Sequence, residues 1–176
     1  MSFTNQTIST QDISITEVEL NPLSPKYMQI NLALVTIFTV IPITILVFLS
    51  FNWLFEMPQG YMDNLLWFIS IVFAFGALFF IYHWLADPKK GYALREHDLH
   101  FQTGLIFRKH ICQPILRIQH IEIKRGPIDR KAGLATLEVY SAGGVHHTFH
   151  IPGLPHETAK KLRSFILDHT DLTLDE

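Results

Sequence analysis

Two long stretches without a single charged residue constrain this chain more than anything else in it. The first, Ile30–Phe55 (INLALVTIFTVIPITILVFLSFNWLF), would form a helix of roughly 39 Å, against a hydrocarbon core of about 30 Å. Pro42 stands where a kink would absorb the excess. Thr39 and Thr44 are placed to satisfy backbone carbonyls that a proline frees. The second stretch, Asn64–Ala86 (NLLWFISIVFAFGALFFIYHWLA), follows after only EMPQGYMD. The expectation is a tight transmembrane hairpin over residues 30–86, with helices at about 30–55 and 64–86 and a loop at 56–63. Trp53, Phe55 and Tyr61 near one end, and Tyr82 and Trp84 near the other, suit the aromatic belts of a membrane interface. Ser70, Ala74 and Ala77 recur at helical spacing and predict one small-residue face, against the first span or another protein.

Charge divides the chain at the same place as hydropathy. Thirteen of the 14 Lys and Arg residues follow Pro88, and only Lys26 precedes it. With histidine neutral, residues 88–176 carry about +3 and the rest −5, which the net charge of −2 conceals. The hairpin loop holds Glu56 and Asp63 and no base, while Lys26, Lys89, Lys90 and Arg95 flank the other ends. By the positive-inside rule both termini are expected in the cytoplasm, making a multi-pass protein of a bacterial inner (plasma) membrane. Residues 1–29 are polar and mildly acidic rather than short and basic, which does not suit a cleaved signal peptide. This leader is expected to be a mobile tail, or to add an edge strand through DISITEVEL.

After Gly91 the apolar period changes to two. GYALREHDLHFQTG predicts a hairpin turning at Glu96–Asp98, LIFRKHICQP a strand ending at Pro114, and RIQHIEIKR a strand broken by Gly126-Pro127. LATLEVYS and HHTFHIP predict a last hairpin. A three-residue Ala142–Gly144 loop would set Leu137 against Phe149 and Ala135 against Ile151 on one apolar face. A closing helix is expected, with Pro155 and Glu157 in its first turn and Ala159, Leu162, Phe165 and Ile166 as its apolar stripe. Ile121, Ile123, Leu134 and Leu137 are expected in the core. Cys112, the one cysteine, excludes an internal disulfide and a C-x-x-C metal pair, and is expected to be a buried structural thiol.

The run YALREHDLHFQTGLIFRKHICQPILRIQHIEIKRGPIDRKAGLATLEVYSAGG, followed by HIPGLPHETAKKLRSFI, resembles the bacterial pleckstrin-homology-like (PH-like) domain of the YdbS type. The resemblance covers Ile30 to about Ile166. It implies two membrane spans ahead of a PH-like antiparallel β sandwich or barrel, at residues 88–171, capped by a C-terminal α-helix, with 172–176 as a short tail. It also implies assembly with a larger membrane protein carrying related domains. Eukaryotic PH domains bind phosphoinositides through a basic loop between their first two strands. The matching turn here, Arg95-Glu96-His97-Asp98, has one arginine and two acids, so that recognition does not carry over.

Little in the chain suggests catalysis. Ser141 lacks the G-x-S-x-G setting of a nucleophile elbow, and no phosphate-cradling loop occurs. In HHTFH, His146 and His150 share a strand face but stand roughly 13 Å apart, too far for one zinc. No enzyme, cofactor or metal is expected. The basic half is too weakly charged for a nucleic-acid footprint. The segment that stands out is Lys124, Arg125, Arg130 and Lys131 around Gly126-Pro127, a basic corner suited to an anionic bilayer or an acidic partner. The function expected is protein–protein assembly by a non-enzymatic membrane protein, with a homo-oligomer among the arrangements. Anionic-lipid sensing through the corner is the alternative.

Overall fold

A computed structural model describes residues 18–51, 58–141 and 148–172. Helix α1 (Pro25–Ser50) and helix α2 (Gln59–Ala86) pack side by side. Both begin earlier than the uncharged runs, because Pro25 occupies the first turn of α1 and Pro58 caps α2. Each is long and apolar enough to cross a membrane, with mean hydropathies of 2.8 and 2.4. Their outer faces stay bare: Phe38, Leu66 and Trp67 are all more than 70% exposed. Such surface suits lipid or a packed apolar partner.

The helices touch where backbone can approach backbone. Thr39 lies against Gly76, at a spot where any β-carbon on residue 76 would collide with it. Gly76 is therefore a point of close approach between the helices; of the expected strip, Ser70 and Ala74 are exposed and Ala77 is half-buried. Tyr61 donates its hydroxyl to the Leu46 carbonyl at 2.6 Å. Pro42 is accommodated inside α1 without the help expected of the threonines. Thr39 and Thr44 donate to the carbonyls of Val35 and Val40, one turn back from each, whereas the carbonyl Pro42 frees is that of Phe38.

The chain then forms two antiparallel sheets. In the first, strands β1 (Asn21–Pro22), β2 (Gly91–Leu94), β3 (Asp98–Thr103) and β4 (Lys109–Pro114) are neighbours in that order. The leader thus adds an edge strand, but at residues 21–22; most of DISITEVEL lies outside the described residues. In the second sheet, β5 (Ile118–Lys124), β6 (Leu134–Ser141) and β7 (Thr148–Pro155) follow in chain order. Between β5 and β6 the Gly-Pro break opens into a short helix, α3 (Pro127–Ala132), which the sequence patterning does not predict. Helix α4 (His156–Leu172) packs across the second sheet. Pro155 ends β7 instead of opening this helix, and Glu157 lies in its first turn.

Period-two alternation sends Leu99 and Phe101 inward from one sheet and Ile121, Leu137, Val139, Phe149 and Ile151 from the other. The Phe101 and Phe149 rings stack with centroids 6.4 Å apart. Ala159, Leu162 and Ile166 close the core from α4, while Phe165 is only half-buried and lies against His169. Leu134 is buried and Ile123 packs at the margin. This is the PH-like arrangement of two sheets and a capping helix that the resemblance implies.

The register of the last hairpin corrects the expectation. Leu137 opposes Ile151 and Val139 opposes Phe149, two residues away from the pairing expected, and Ala135 opposes Leu154 beyond an irregularity. A shift of two leaves every side chain on its face, so the apolar set still lies in the core. Residues 142–144 lie outside the described residues.

Candidate functional site

Two of the four bases in the corner are consumed by the fold. Lys124 projects from the outer face of β5, its ammonium 2.7 Å from Glu138 and 3.6 Å from Glu122. The hydrogen bond to Glu138 pushes the Lys124 amine above its ordinary value. Tyr140 completes the cluster by donating to Glu138 at 2.6 Å. Arg125 donates to the Leu134 carbonyl at 3.0 Å and the Arg130 carbonyl at 3.5 Å, fastening α3 to β6. Asp129, the only acid between Lys124 and Lys131 in sequence, accepts from the Gly126 backbone N–H at 3.1 Å and holds the start of α3.

Arg130 and Lys131 remain. Both are exposed on α3, and among the described residues no hydrogen bond or ion pair engages either side chain. Their position is set from a distance in sequence. Lys26, in the first turn of α1, donates to the Ala132 carbonyl at the end of α3 across 3.3 Å. Beside it the Ser24 backbone N–H donates to the Gly153 carbonyl at 3.1 Å, and the Tyr27 ring lies against Gly153. The corner therefore stands at the foot of α1, one of the two helices long and apolar enough to cross a membrane.

A second group reaches the same end of the domain. Gly91 opposes Gln102 and Thr103 opposes Lys109, so the turn joining β3 to β4 lies at the end of the sheet where β1 and β2 meet the helices. That turn is built on Gly104, which has a φ of +100° and where any β-carbon would collide with the Phe107 carbonyl. Its tip carries Ile106 and Phe107, 80% and 91% exposed, followed by exposed Arg108 and Lys109. An apolar tip followed by two bases is chemistry suited to an interface between hydrocarbon and anionic headgroups. Period-two patterning places LIF inside a strand, which hides the turn; the glycine before three apolar residues and an Arg-Lys pair was the available signal.

Of the HHTFH histidines, His150 is exposed opposite Glu138, while His146 and His147 lie outside the described residues. Cys112 is exposed, not buried, because it lies on β4, an edge strand, and pairs with His100 on the face opposite core-facing Leu99 and Phe101.

Comparison with known proteins agrees with this architecture. The profile of the family described as Bacterial PH domain matches residues 15–170. The chain is similar to the UPF0699 transmembrane protein YdbS of Bacillus subtilis (strain 168), 33% identical over 85 residues, covering 48% of this chain and 52% of that protein. The chain thus matches about half the length of that relative. No solved structure matches the chain.

Proposed function

The chain belongs to the bacterial PH domain family, and on that premise we propose that it is a non-enzymatic membrane protein whose domain rests on the anionic cytoplasmic leaflet. A hairpin of two spans holds the domain, which begins near residue 88, and both termini lie in the cytoplasm of a bacterium, at its inner membrane. One observation carries this reading: the bond from Lys26 to Ala132 keeps Arg130 and Lys131 at the foot of α1. Each base near an anionic leaflet contributes on the order of 1 kcal/mol, and insertion of the Phe107 ring would add apolar burial worth roughly 1.5–3 kcal/mol. Tethering by the spans removes most of the entropic cost of this contact.

The test uses the full-length protein in nanodiscs, carrying Ile106→Cys in a Cys112→Ser background and labelled with an environment-sensitive dye. Emission should shift to the blue in phosphatidylglycerol discs relative to neutral discs. The shift should shrink with salt and with Arg130→Gln plus Lys131→Gln. Identical emission in both lipids at low salt would refute the reading. Orientation is tested separately: a reporter after Glu176 should behave as cytoplasmic and a tag at Gln59 as periplasmic.

A second reading, assembly with a larger membrane protein carrying related PH-like domains, is favoured by the small strip of Ser70 and Ala74. This strip faces away from α1 and leaves room for a third helix. Copurification in mild detergent at native expression, with a crosslinker at Glu138 or Thr148, should then trap such a protein. Recovery of monomer alone would count against it, and recovery of a second copy would indicate a homo-oligomer.

A further inference from the structure

The first sheet brings together a set of ligand atoms that no single stretch of sequence contains. Asp98 and His100 are two apart on β3 and share one face, and His100 is paired directly with Cys112 on β4. His100 Nε2 lies 2.8 Å from Asp98 Oδ1 and 3.8 Å from Cys112 Sγ. All three ligand atoms lie within 4.8 Å of one another. On its other side, His100 Nδ1 lies 3.1 Å from His110 Nε2, also on β4.

We propose that Asp98, His100 and Cys112 form a binding site for a divalent cation of the zinc class, with His110 fixing the tautomer of His100. A tetrahedral zinc with bonds of about 2.0–2.3 Å spaces its ligand atoms by roughly 3.3–3.8 Å. The cross-strand pair lies at the upper end of that spacing. The Asp98 carboxylate must open by about half an ångström from His100 as its hydrogen bond gives way to the metal, and Asp98 and Cys112, within 4.8 Å of each other, must draw together by up to about 1 Å. The donor set of thiolate, imidazole and carboxylate suits zinc and not magnesium or calcium, which take oxygen ligands.

The surroundings match the two shells of such a site. A ligating histidine commonly donates its second ring N–H to a fixed acceptor, and His100 Nδ1–H has that acceptor in His110 Nε2. His100 is 6% exposed and held between β2 and β4, whereas Asp98 is half-buried and Cys112 exposed, so one side stays open to a water ligand and to entry. Cys112 ligates as the thiolate, so binding releases any thiol proton to solvent as the sulfur–metal bond forms. Arg95, 3.8 Å from Asp98 and 51% exposed, is readily displaced.

The test is cobalt titration of the chelator-treated, full-length protein in detergent, purified without a polyhistidine tag. One equivalent of Co²⁺ should give tetrahedral visible bands and a sulfur-to-cobalt charge-transfer band, both lost on adding Zn²⁺. Cys112→Ser, a change at an exposed position, should abolish the charge-transfer band, and His110→Ala should weaken binding on the order of 10- to 100-fold. A variant replacing His146, His147 and His150 by Ala should bind as the parent does. Absence of stoichiometric binding, a charge-transfer band that survives Cys112→Ser, or binding lost only in the His146/His147/His150 variant would each overturn the assignment.

Discussion

Asn31 donates its side-chain amide to Asp87 Oδ2 across 2.8 Å, joining the second turn of α1 to the residue that ends α2. Asp87 is 3% exposed and also meets His83 at 3.1 Å and the Lys90 ammonium at 2.8 Å. Lys90 in turn lies 5.1 Å from the centre of the Tyr27 ring. Burial alone would lower the Lys90 amine, but Asp87 and Tyr27 together outweigh it and raise it. One buried carboxylate therefore holds both long helices and the entry to β2.

Replacing Asp87 should expose this dependence. Asp87→Ala leaves the Lys90 ammonium, 14% exposed, without its counter-ion, and removal of one partner from a buried pair costs about 3–5 kcal/mol. Asp87→Asn keeps an acceptor for Asn31 and should fall between. Thermal unfolding in detergent should rank parent above Asp87→Asn above Asp87→Ala, and equal melting of all three would show that the node stabilises nothing.

The contact of Thr39 with Gly76 predicts a suppressible defect. Gly76→Ala places a methyl group on the Thr39 side chain, and such overpacking costs roughly 1–3 kcal/mol. Thr39→Gly removes the opposing atoms and should restore part of the loss in the double variant. A double variant no more stable than Gly76→Ala alone would rule out this contact as the cause.

Core and tip should separate in a chemical unfolding series. Leu137 is fully buried, and Leu137→Ala should cost about 2–5 kcal/mol. Phe107 is 91% exposed, so Phe107→Ala should change stability by less than about 0.5 kcal/mol while reducing lipid contact. A large stability loss from Phe107→Ala would place the ring in the fold instead of at the membrane.

Acid should act through Glu138. Its carboxyl is held below the usual value first by the Lys124 hydrogen bond and then by that of Tyr140, against a smaller opposing effect of burial. A depressed carboxylate adds stability in full above its unfolded value of about 4.3 and loses it as pH falls through the lower folded value. The stability gap between parent and Glu138→Gln should therefore be open at neutral pH and close below about pH 4. It should also narrow with salt, because Lys124 is 56% exposed. A gap that widens on acidification would contradict the pairing.

The sequence by itself determined the features that depend on period and length. Uncharged runs of more than 20 residues have few stable homes outside a bilayer, and alternation after Gly91 assigned Ile121, Leu134, Leu137 and Ile151 to one interior. The stripe of Ala159, Leu162 and Ile166 likewise needed only a spacing of 3.6 residues. Tertiary structure alone decided what pairs with what. Sliding β7 by two residues preserves each side chain's face, so hydrophobic pattern cannot choose between Phe149 and Ile151 as the neighbour of Leu137. Four adjacent bases look alike in sequence, yet Glu138 and the Leu134 carbonyl occupy Lys124 and Arg125 while Lys26, about a hundred residues away, carries Arg130 and Lys131 to the foot of α1. The meeting of Asp98 and His100 with Cys112 has the same origin. A ligand set assembled across two strands leaves no local spacing to detect, because its geometry comes from the ladder between the strands.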